Sequence, residues 1–209
     1  MYISENGLVS NRRTDAEREK NMQDSLNEIY RNHGITTIRV EDREQQLKGI
    51  DLLIKNGDDW IKVDEKAATT KPTAYTSLLT FCFEISSDNN PDSFGWLFKP
   101  DSETTHYAII FPLSSDNFET LDAAEIMIIR KQSILDLLWD FGIGSKRDAV
   151  EIIKNSNHYD DLGRKYYWLN DVCKLAHSLQ LPEQPLNVIV DRGVLRRMAA
   201  KVINYQRPA

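Results

Sequence analysis

A strand–turn–strand pattern from Gly49 to Ala67 constrains the fold of this 209-residue chain more than any other feature. Two short runs, Gly49–Ile54 and Trp60–Ala67, are rich in β-branched residues and alternate apolar with polar side chains. The residues 56–59, NGDD, are of the types that favour tight turns. Because the two runs are joined so closely, they predict an antiparallel β-hairpin.

The hairpin pattern also predicts which side chains share a face, because successive side chains of a strand point to opposite sides of a sheet. One face would bury the apolar residues Ile50, Leu52, Ile54, Ile61 and Val63. The other face would then carry Asp51, Asp64 and Lys66 together, and Glu65 would point away from them.

Two carboxylates and an ammonium on adjacent strands suggest a metal site. Like-charged carboxylates a few ångströms apart repel each other, so each needs a counter-charge. Mg²⁺ takes oxygen ligands from one or two carboxylates and completes its shell with water and phosphate oxygens. Lys66 could position an attacking water or stabilise charge on a phosphate. The alternative is a solvated aspartate beside an ordinary Asp–Lys pair on an exposed sheet face.

The segments Lys48–Ile54 and Ile61–Ala67 resemble the core signature of the PD-(D/E)xK nuclease superfamily, which includes restriction endonucleases and Holliday-junction resolvases. On this resemblance Asp51 is the motif aspartate, Asp64 the second acid and Lys66 the motif lysine. The two aspartates would bind Mg²⁺ or Mn²⁺, and the lysine would orient water or stabilise the transition state. The proline of the motif is absent, and Asp64 replaces the commoner glutamate.

Further site residues are implied by the same resemblance. Members often add an acidic or amide side chain from the first helix. Several residues of the predicted helix qualify, and Glu28 is the one chosen here. The alternative is that Glu28 is a solvated surface acid. The backbone carbonyl of Glu65 is a candidate metal ligand. The candidate substrate contacts are Gln46, before the motif, and Lys71 and Tyr75, after it. The alternative is that these residues belong to an ordinary loop and turn and do not contact a substrate.

The predicted elements follow the order of one helix, a mainly β centre and a helical tail. Periodicity predicts a helix over 15–33, strands over 35–40, 49–54, 60–67, 78–86, 107–113 and 124–130, and helices over 134–141, 146–154 and 169–179. A short strand over 188–190 and a last helix over 194–203 follow. The predicted fold class is α/β, bordering on α+β: a restriction-endonuclease-like core, with a central mixed β-sheet flanked by helices, and a helical C-terminal part.

The length favours a single domain. Within it we expect a loosely ordered N-terminus over 1–13, a nuclease-like core over 14–130 and a helical part over 131–209 packed on that core.

Four aromatic residues gather near the basic pair 164–165: Tyr159, Tyr166, Tyr167 and Trp168. Rings beside cations can stack on nucleic-acid bases. Aromatic residues at this density more often complete a helical core, and that interpretation is favoured from the sequence.

Composition narrows the class of protein. The net charge of -6 argues against a protein that coats nucleic acid by bulk electrostatics. A nuclease with a local basic surface is compatible with the same net charge. The two cysteines show no disulfide or zinc spacing, and neither a signal peptide nor a membrane-spanning run is evident. A phosphate-binding loop for a nucleotide cofactor is also lacking. These features predict a cytoplasmic protein that needs no membrane.

The predicted function is therefore metal-dependent hydrolysis of DNA phosphodiester bonds. DNA would be the substrate, and a homodimer would allow both strands of a duplex to be cut. The alternative is a non-catalytic nucleic-acid-binding or assembly protein that retains the nuclease fold.

Overall fold

The computed structural model describes residues 12–68, 78–87, 93–114, 121–161 and 163–207, and these residues form five helices and eleven strands. The helices are α1 (Arg12–Asn32), α2 (Arg43–Leu47), α3 (Lys131–Trp139), α4 (Lys146–Lys154) and α5 (Arg192–Met198). The strands are β1 (Thr37–Arg39), β2 (Leu52–Asn56), β3 (Asp59–Ala67), β4 (Thr80–Ser86), β5 (His106–Ser114), β6 (Ala123–Arg130), β7 (His158–Tyr159), β8 (Lys165–Asn170), β9 (Cys173–His177), β10 (Leu186–Asp191) and β11 (Lys201–Gln206).

The chain forms two compact units that are interleaved in sequence. The hairpin unit comprises Arg12–Leu79, Glu103–Ile134 and Leu195–Ala209, and the second unit comprises Thr80–Ser102 and Leu135–Val194. The expected division at residue 130 does not separate the units, because each of them draws on both sides of that position.

The hairpin unit is built on a six-stranded sheet in the order β1-β2-β3-β5-β6-β11. Strands β2 and β3 form the predicted antiparallel hairpin, in which Leu52 lies opposite Val63. Strands β3 and β5 run parallel, whereas the other neighbours are antiparallel. The prediction of a mixed sheet is therefore confirmed.

Helix α1 covers one face of this sheet. Its apolar stripe of Met22, Leu26, Ile29 and Tyr30 packs into one buried cluster with residues of the hairpin and of β5 and β6, including Leu52, Ile54, Val63, Ala108, Ile110 and Ile126. Each fully buried side chain of this size contributes about 1.5–3 kcal/mol. The packing fixes the helix against the hairpin and covers the face that carries Leu52, Ile54 and Val63.

The second unit contains a five-stranded sheet in the order β4-β10-β9-β8-β7, with antiparallel pairing throughout. Phe83 is fully buried and contacts the rings of Phe81 and Trp96 at centroid distances of 5.0 and 5.5 Å. Gly95 lies against the backbone of β4, and its N–H donates to the carbonyl of Ile85 at 2.9 Å. A Cβ atom at this position would lie 2.4 Å from the carbonyl oxygen of Glu84, so the packing requires glycine.

The prediction of a helical C-terminal part is wrong, since the described residues after 130 carry three helices and five strands. Residues 169–179, expected to be helical, lie instead at the end of β8, in a turn, in β9 and in the two residues after β9. The Asn170 side chain accepts a hydrogen bond from the N–H of Val172 at 2.9 Å, which closes the turn locally. Alternation then buries Cys173 and Leu175 on one face.

The predicted last helix over 194–203 is also shorter than expected, because α5 ends at Met198 and β11 begins at Lys201. Val202, Ile203 and Tyr205 favour a strand, and they pair with the edge of β6. Tertiary pairing thus overrides a helical periodicity that continues into the strand residues.

Within the described residues no helix is both long and apolar enough to cross a membrane.

Candidate metal and active site

Asp51 stands immediately before β2 and is held from three directions. Its N–H donates to the carbonyl of Val63 at 2.9 Å, and its own carbonyl accepts from the N–H of Val40 at 3.0 Å. Its carboxylate oxygen Oδ2 accepts from the backbone N–H of Glu65 at 2.8 Å. The carboxylate is therefore fixed relative to β3.

Asp64, on β3, is the buried acid of the site, with only 4% of its surface exposed. Burial raises the pKa of its carboxyl from the ordinary 3.8 to about 7, although the Lys66 ammonium lowers this pKa and the Asp51 carboxylate raises it. The charge of the Asp51 carboxylate acts on Asp64, and Asp51 itself accepts from the N–H of Glu65, the next residue after Asp64. The hairpin thus brings the two predicted carboxylates together.

Lys66 completes the predicted set. Its ammonium forms an ion pair with the Asp64 carboxylate, and it donates a second, longer hydrogen bond of 3.3 Å to the backbone carbonyl of Glu65. Because Asp64 and Lys66 are two residues apart on one strand, they share a face, as the alternation predicts.

Glu65 lies on the other side of the strand. Its carboxylate accepts a hydrogen bond from the Tyr30 hydroxyl at 2.7 Å and forms an ion pair with Arg39, whose Nε donates to Asn27 at 2.6 Å. Burial raises the pKa of Glu65, whereas Arg39 and Tyr30 lower it. The Glu65 carboxylate is therefore bonded to side chains of α1 and β1. Only the backbone of Glu65 faces the predicted site.

Two further residues near Asp64 were not predicted from the sequence. Tyr107 lies opposite Asp64 in the parallel pair of β3 and β5, and the pKa of its phenol is raised by burial and then by the charge of Asp64. Burial lowers the pKa of the Lys131 ammonium, which the Asp64 charge partly offsets. Tyr107 comes close to Asp64 because β5 pairs with β3, and Lys131 does so because α3 begins directly after β6. The sequence pattern of a single segment does not reveal either arrangement.

The remaining candidates stand apart from this group or outside the described residues. Glu28 is exposed on α1, and it is Asn27 and Tyr30 of that helix that contact the Arg39–Glu65 pair. Gln46 lies on α2, exposed, and its side-chain amide donates to the carbonyl of Val40 at 2.9 Å. Lys71 and Tyr75 lie outside the residues that the structure describes.

The donor atoms fit a hard divalent cation that keeps part of its own water shell. Across the described parts of the chain, no three Asp, Glu, His or Cys side chains come together as a metal-holding group. The hairpin offers two carboxylates and the carbonyl oxygen of Glu65. Such a set suits Mg²⁺ or Mn²⁺, which take further ligands from water and phosphate, and does not suit a closed zinc site with four protein ligands.

No known protein family matches this chain, and no curated protein or solved structure is detectably similar to it.

Proposed function

We propose that this chain is a metal-dependent nuclease that hydrolyses DNA phosphodiester bonds. The observation that carries the proposal is the placement of Asp51 beside Asp64 in the hairpin, with the Asp51 carboxylate bonded to the N–H of Glu65 and the Lys66 ammonium paired to Asp64. Two carboxylates held close together repel each other and favour bound positive charge, and the ion pair of Lys66 is made with Asp64. A divalent cation would bind both carboxylates at once.

Asp51 and Asp64 would hold Mg²⁺ or Mn²⁺, with the Glu65 carbonyl as a further donor. When bound, the metal lowers the pKa of a coordinated water and offsets negative charge on the phosphate. Lys66 keeps a positive charge beside the reacting group, where it orients the attacking water and stabilises the charge that develops on the phosphate oxygens. The water oxygen forms a bond to phosphorus and gives up a proton to solvent, one ester P–O bond breaks, and the departing oxygen takes up a proton.

The chemistry of the site suits a phosphodiester. We propose DNA as the polymer because the hairpin motif resembles that of the PD-(D/E)xK nucleases. One such site cuts one strand at a time, so we expect duplex cutting to use two copies of the chain.

The test is cleavage of end-labelled duplex, single-stranded and branched DNA by the purified chain, with Mg²⁺, with Mn²⁺ and with EDTA. We expect products only with metal, and a loss of about 10²–10³-fold in rate for Asp51→Asn and for Lys66→Met. Asp59→Asn and Lys55→Met are matched controls, because both residues are exposed at the far end of the same hairpin.

A metal-dependent activity that survives both site substitutions would overturn the proposal. DNA binding without any cleavage would instead favour a non-catalytic protein that keeps the hairpin as a structural element.

A further inference from the structure

The aromatic residues near Arg164 do not complete a helical core. They lie on β7 and β8, and three of them are exposed: Tyr159, Tyr167 and Trp168, at 58%, 40% and 57%. Strand alternation places Tyr166 and Trp168 on one face of the five-stranded sheet. The opposite face carries the buried residues Leu175, Val188 and Phe83, which form one row across the strands.

Two rows of paired residues define the face that carries Tyr166 and Trp168. One row runs across the strands as Trp168, Lys174, Ile189 and Cys82, and the other as Tyr166, Ala176, Asn187 and Glu84. Trp168 and Cys82 are exposed, and Tyr166 and Lys174 are half-buried. We call the group Tyr166, Trp168 and Lys174 the aromatic face.

Cations are interleaved with the rings on this face. The Lys174 ammonium lies 4.5 Å from the ring centroids of both Tyr166 and Trp168. The Arg164 guanidinium lies 5.7 Å from the Tyr166 centroid. Rings and positive charge are thus combined within one small area.

The Tyr166 ring is held in place rather than free to turn. Its hydroxyl donates to Asp160 at 2.8 Å, and Arg164 balances the charge of that aspartate through an ion pair of 2.8 Å. The other acid of the same row, Glu84, is three strands from Tyr166, which corresponds to about 14 Å at a spacing of about 4.8 Å. The local charge beside the two rings is therefore positive.

We propose that the aromatic face binds single-stranded nucleic acid. Unpaired bases would stack on Trp168 and Tyr166, and the flexible side chain of Lys174 would move from the rings to a backbone phosphate. Base stacking on protein rings tolerates any base and contributes about 1–3 kcal/mol per base. In a duplex the bases are covered by their neighbours, so this face selects unpaired strands. The inference concerns the second unit and does not depend on hydrolysis at the hairpin.

The experiment measures the anisotropy of a fluorescein-labelled thymidylate 12-mer, a length within the range of about 4–16 nucleotides that single binding modules occupy. EDTA is present throughout, so hydrolysis does not contribute. We expect Trp168→Ala to weaken binding about 5- to 150-fold, the equivalent of one lost stack, and Trp168→Phe to restore part of it. Lys174→Gln should lower the slope of log Kd against the logarithm of the salt concentration by about 0.7.

Trp139→Ala is the matched control, because this tryptophan is 71% exposed on α3 and is not part of the aromatic face. Because EDTA removes divalent metal from the hairpin, the affinities report on the aromatic face without hydrolysis, which separates this inference from the proposed nuclease. Equal affinities of Trp168→Ala and the unmodified chain would overturn the inference, as would equal binding of a 12-base-pair duplex or no binding of the 12-mer at all.

Discussion

The backbone N–H of Glu65 donates a hydrogen bond to the Asp51 carboxylate across the hairpin, over 2.8 Å. The bond ties the residue before β2 to the middle of β3, so the position of one acid is set by the backbone beside the other. An asparagine can accept the same hydrogen bond through its amide oxygen, whereas it cannot supply the negative charge.

Asp51→Asn should therefore separate structure from metal binding. We expect the free energy of unfolding to change by less than about 1 kcal/mol, since the hydrogen bond is kept. Losing a residue that only positions a metal ligand lowers metal affinity by about 10- to 100-fold. Because Asp51 would be a ligand itself, the Mn²⁺ affinity of the variant should fall by more than that. Calorimetric titration with Mn²⁺ measures this, with Asp59→Asn as the control. Unchanged affinity in Asp51→Asn would show that Asp51 is not a ligand.

The raised pKa of Asp64 predicts how the stability of the metal-free protein depends on pH. Between about pH 4 and 7 the folded protein holds a proton on Asp64 that the unfolded chain has released. This contribution to stability is complete below pH 4 and is lost as the pH rises through 7, at up to about 1.4 kcal/mol per pH unit.

Asp64→Asn removes that contribution, so its unfolding free energy should depend less steeply on pH in this window. Urea unfolding in EDTA at several pH values from 4.5 to 7.5 measures the difference. Parallel pH profiles of the two proteins would contradict the raised pKa.

Lys66→Met should shift the pH dependence of metal binding. The Lys66 ammonium lowers the pKa of Asp64, so its removal raises that pKa further and keeps the carboxyl protonated to higher pH. We expect the midpoint for Mn²⁺ binding to move upward, whereas in Lys55→Met it should stay in place. A midpoint that does not move would show that Lys66 does not act on Asp64.

Arg39→Met should destabilise the hairpin unit strongly. The substitution leaves the Glu65 carboxylate, whose side chain is only 10% exposed, without its cation, at a cost of about 3–5 kcal/mol. The pair substitution Arg39→Met with Glu65→Leu should recover most of this loss. Lys62→Met, which breaks an exposed pair with Glu103, should cost less than about 1 kcal/mol. Equal costs in urea unfolding would contradict the burial argument.

Gly95→Ala should destabilise the second unit by about 1–3 kcal/mol, because its Cβ would meet the rigid backbone of β4. Gly144→Ala is the comparison: its Cβ would meet the Trp139 ring, which is exposed and able to move. Similar melting temperatures for the two variants would argue against the close approach at Gly95.

The hairpin and its three charged residues could be predicted because their information is local. Alternation over Gly49–Ala67 determines both the strand pairing and the face that each side chain takes, and the described structure places Asp51, Asp64 and Lys66 together. Strands over 78–86, 107–113 and 124–130 are likewise confirmed as β4, β5 and β6.

The neighbours of Asp64 and the C-terminal strands could not be predicted in this way. Tyr107 reaches Asp64 only through a parallel pairing between segments about 40 residues apart. Residues 169–179 contain apolar spacings that suit a helix as well as two strands, and the turn at Asn170 decides between them. Trp168 lies on β8, next to the edge strand β7, and this position depends on the order of the whole sheet.

The interleaving of the two units also determines when each of them can form during synthesis. Strand β4 pairs with β10, and Ser86 and Leu186 meet across roughly 100 residues of chain. At about 5–20 residues per second, β4 is made on the order of 5–20 s before its partner exists. During that time the backbone of β4 has no native strand to pair with, so the second unit can complete its sheet only late in synthesis.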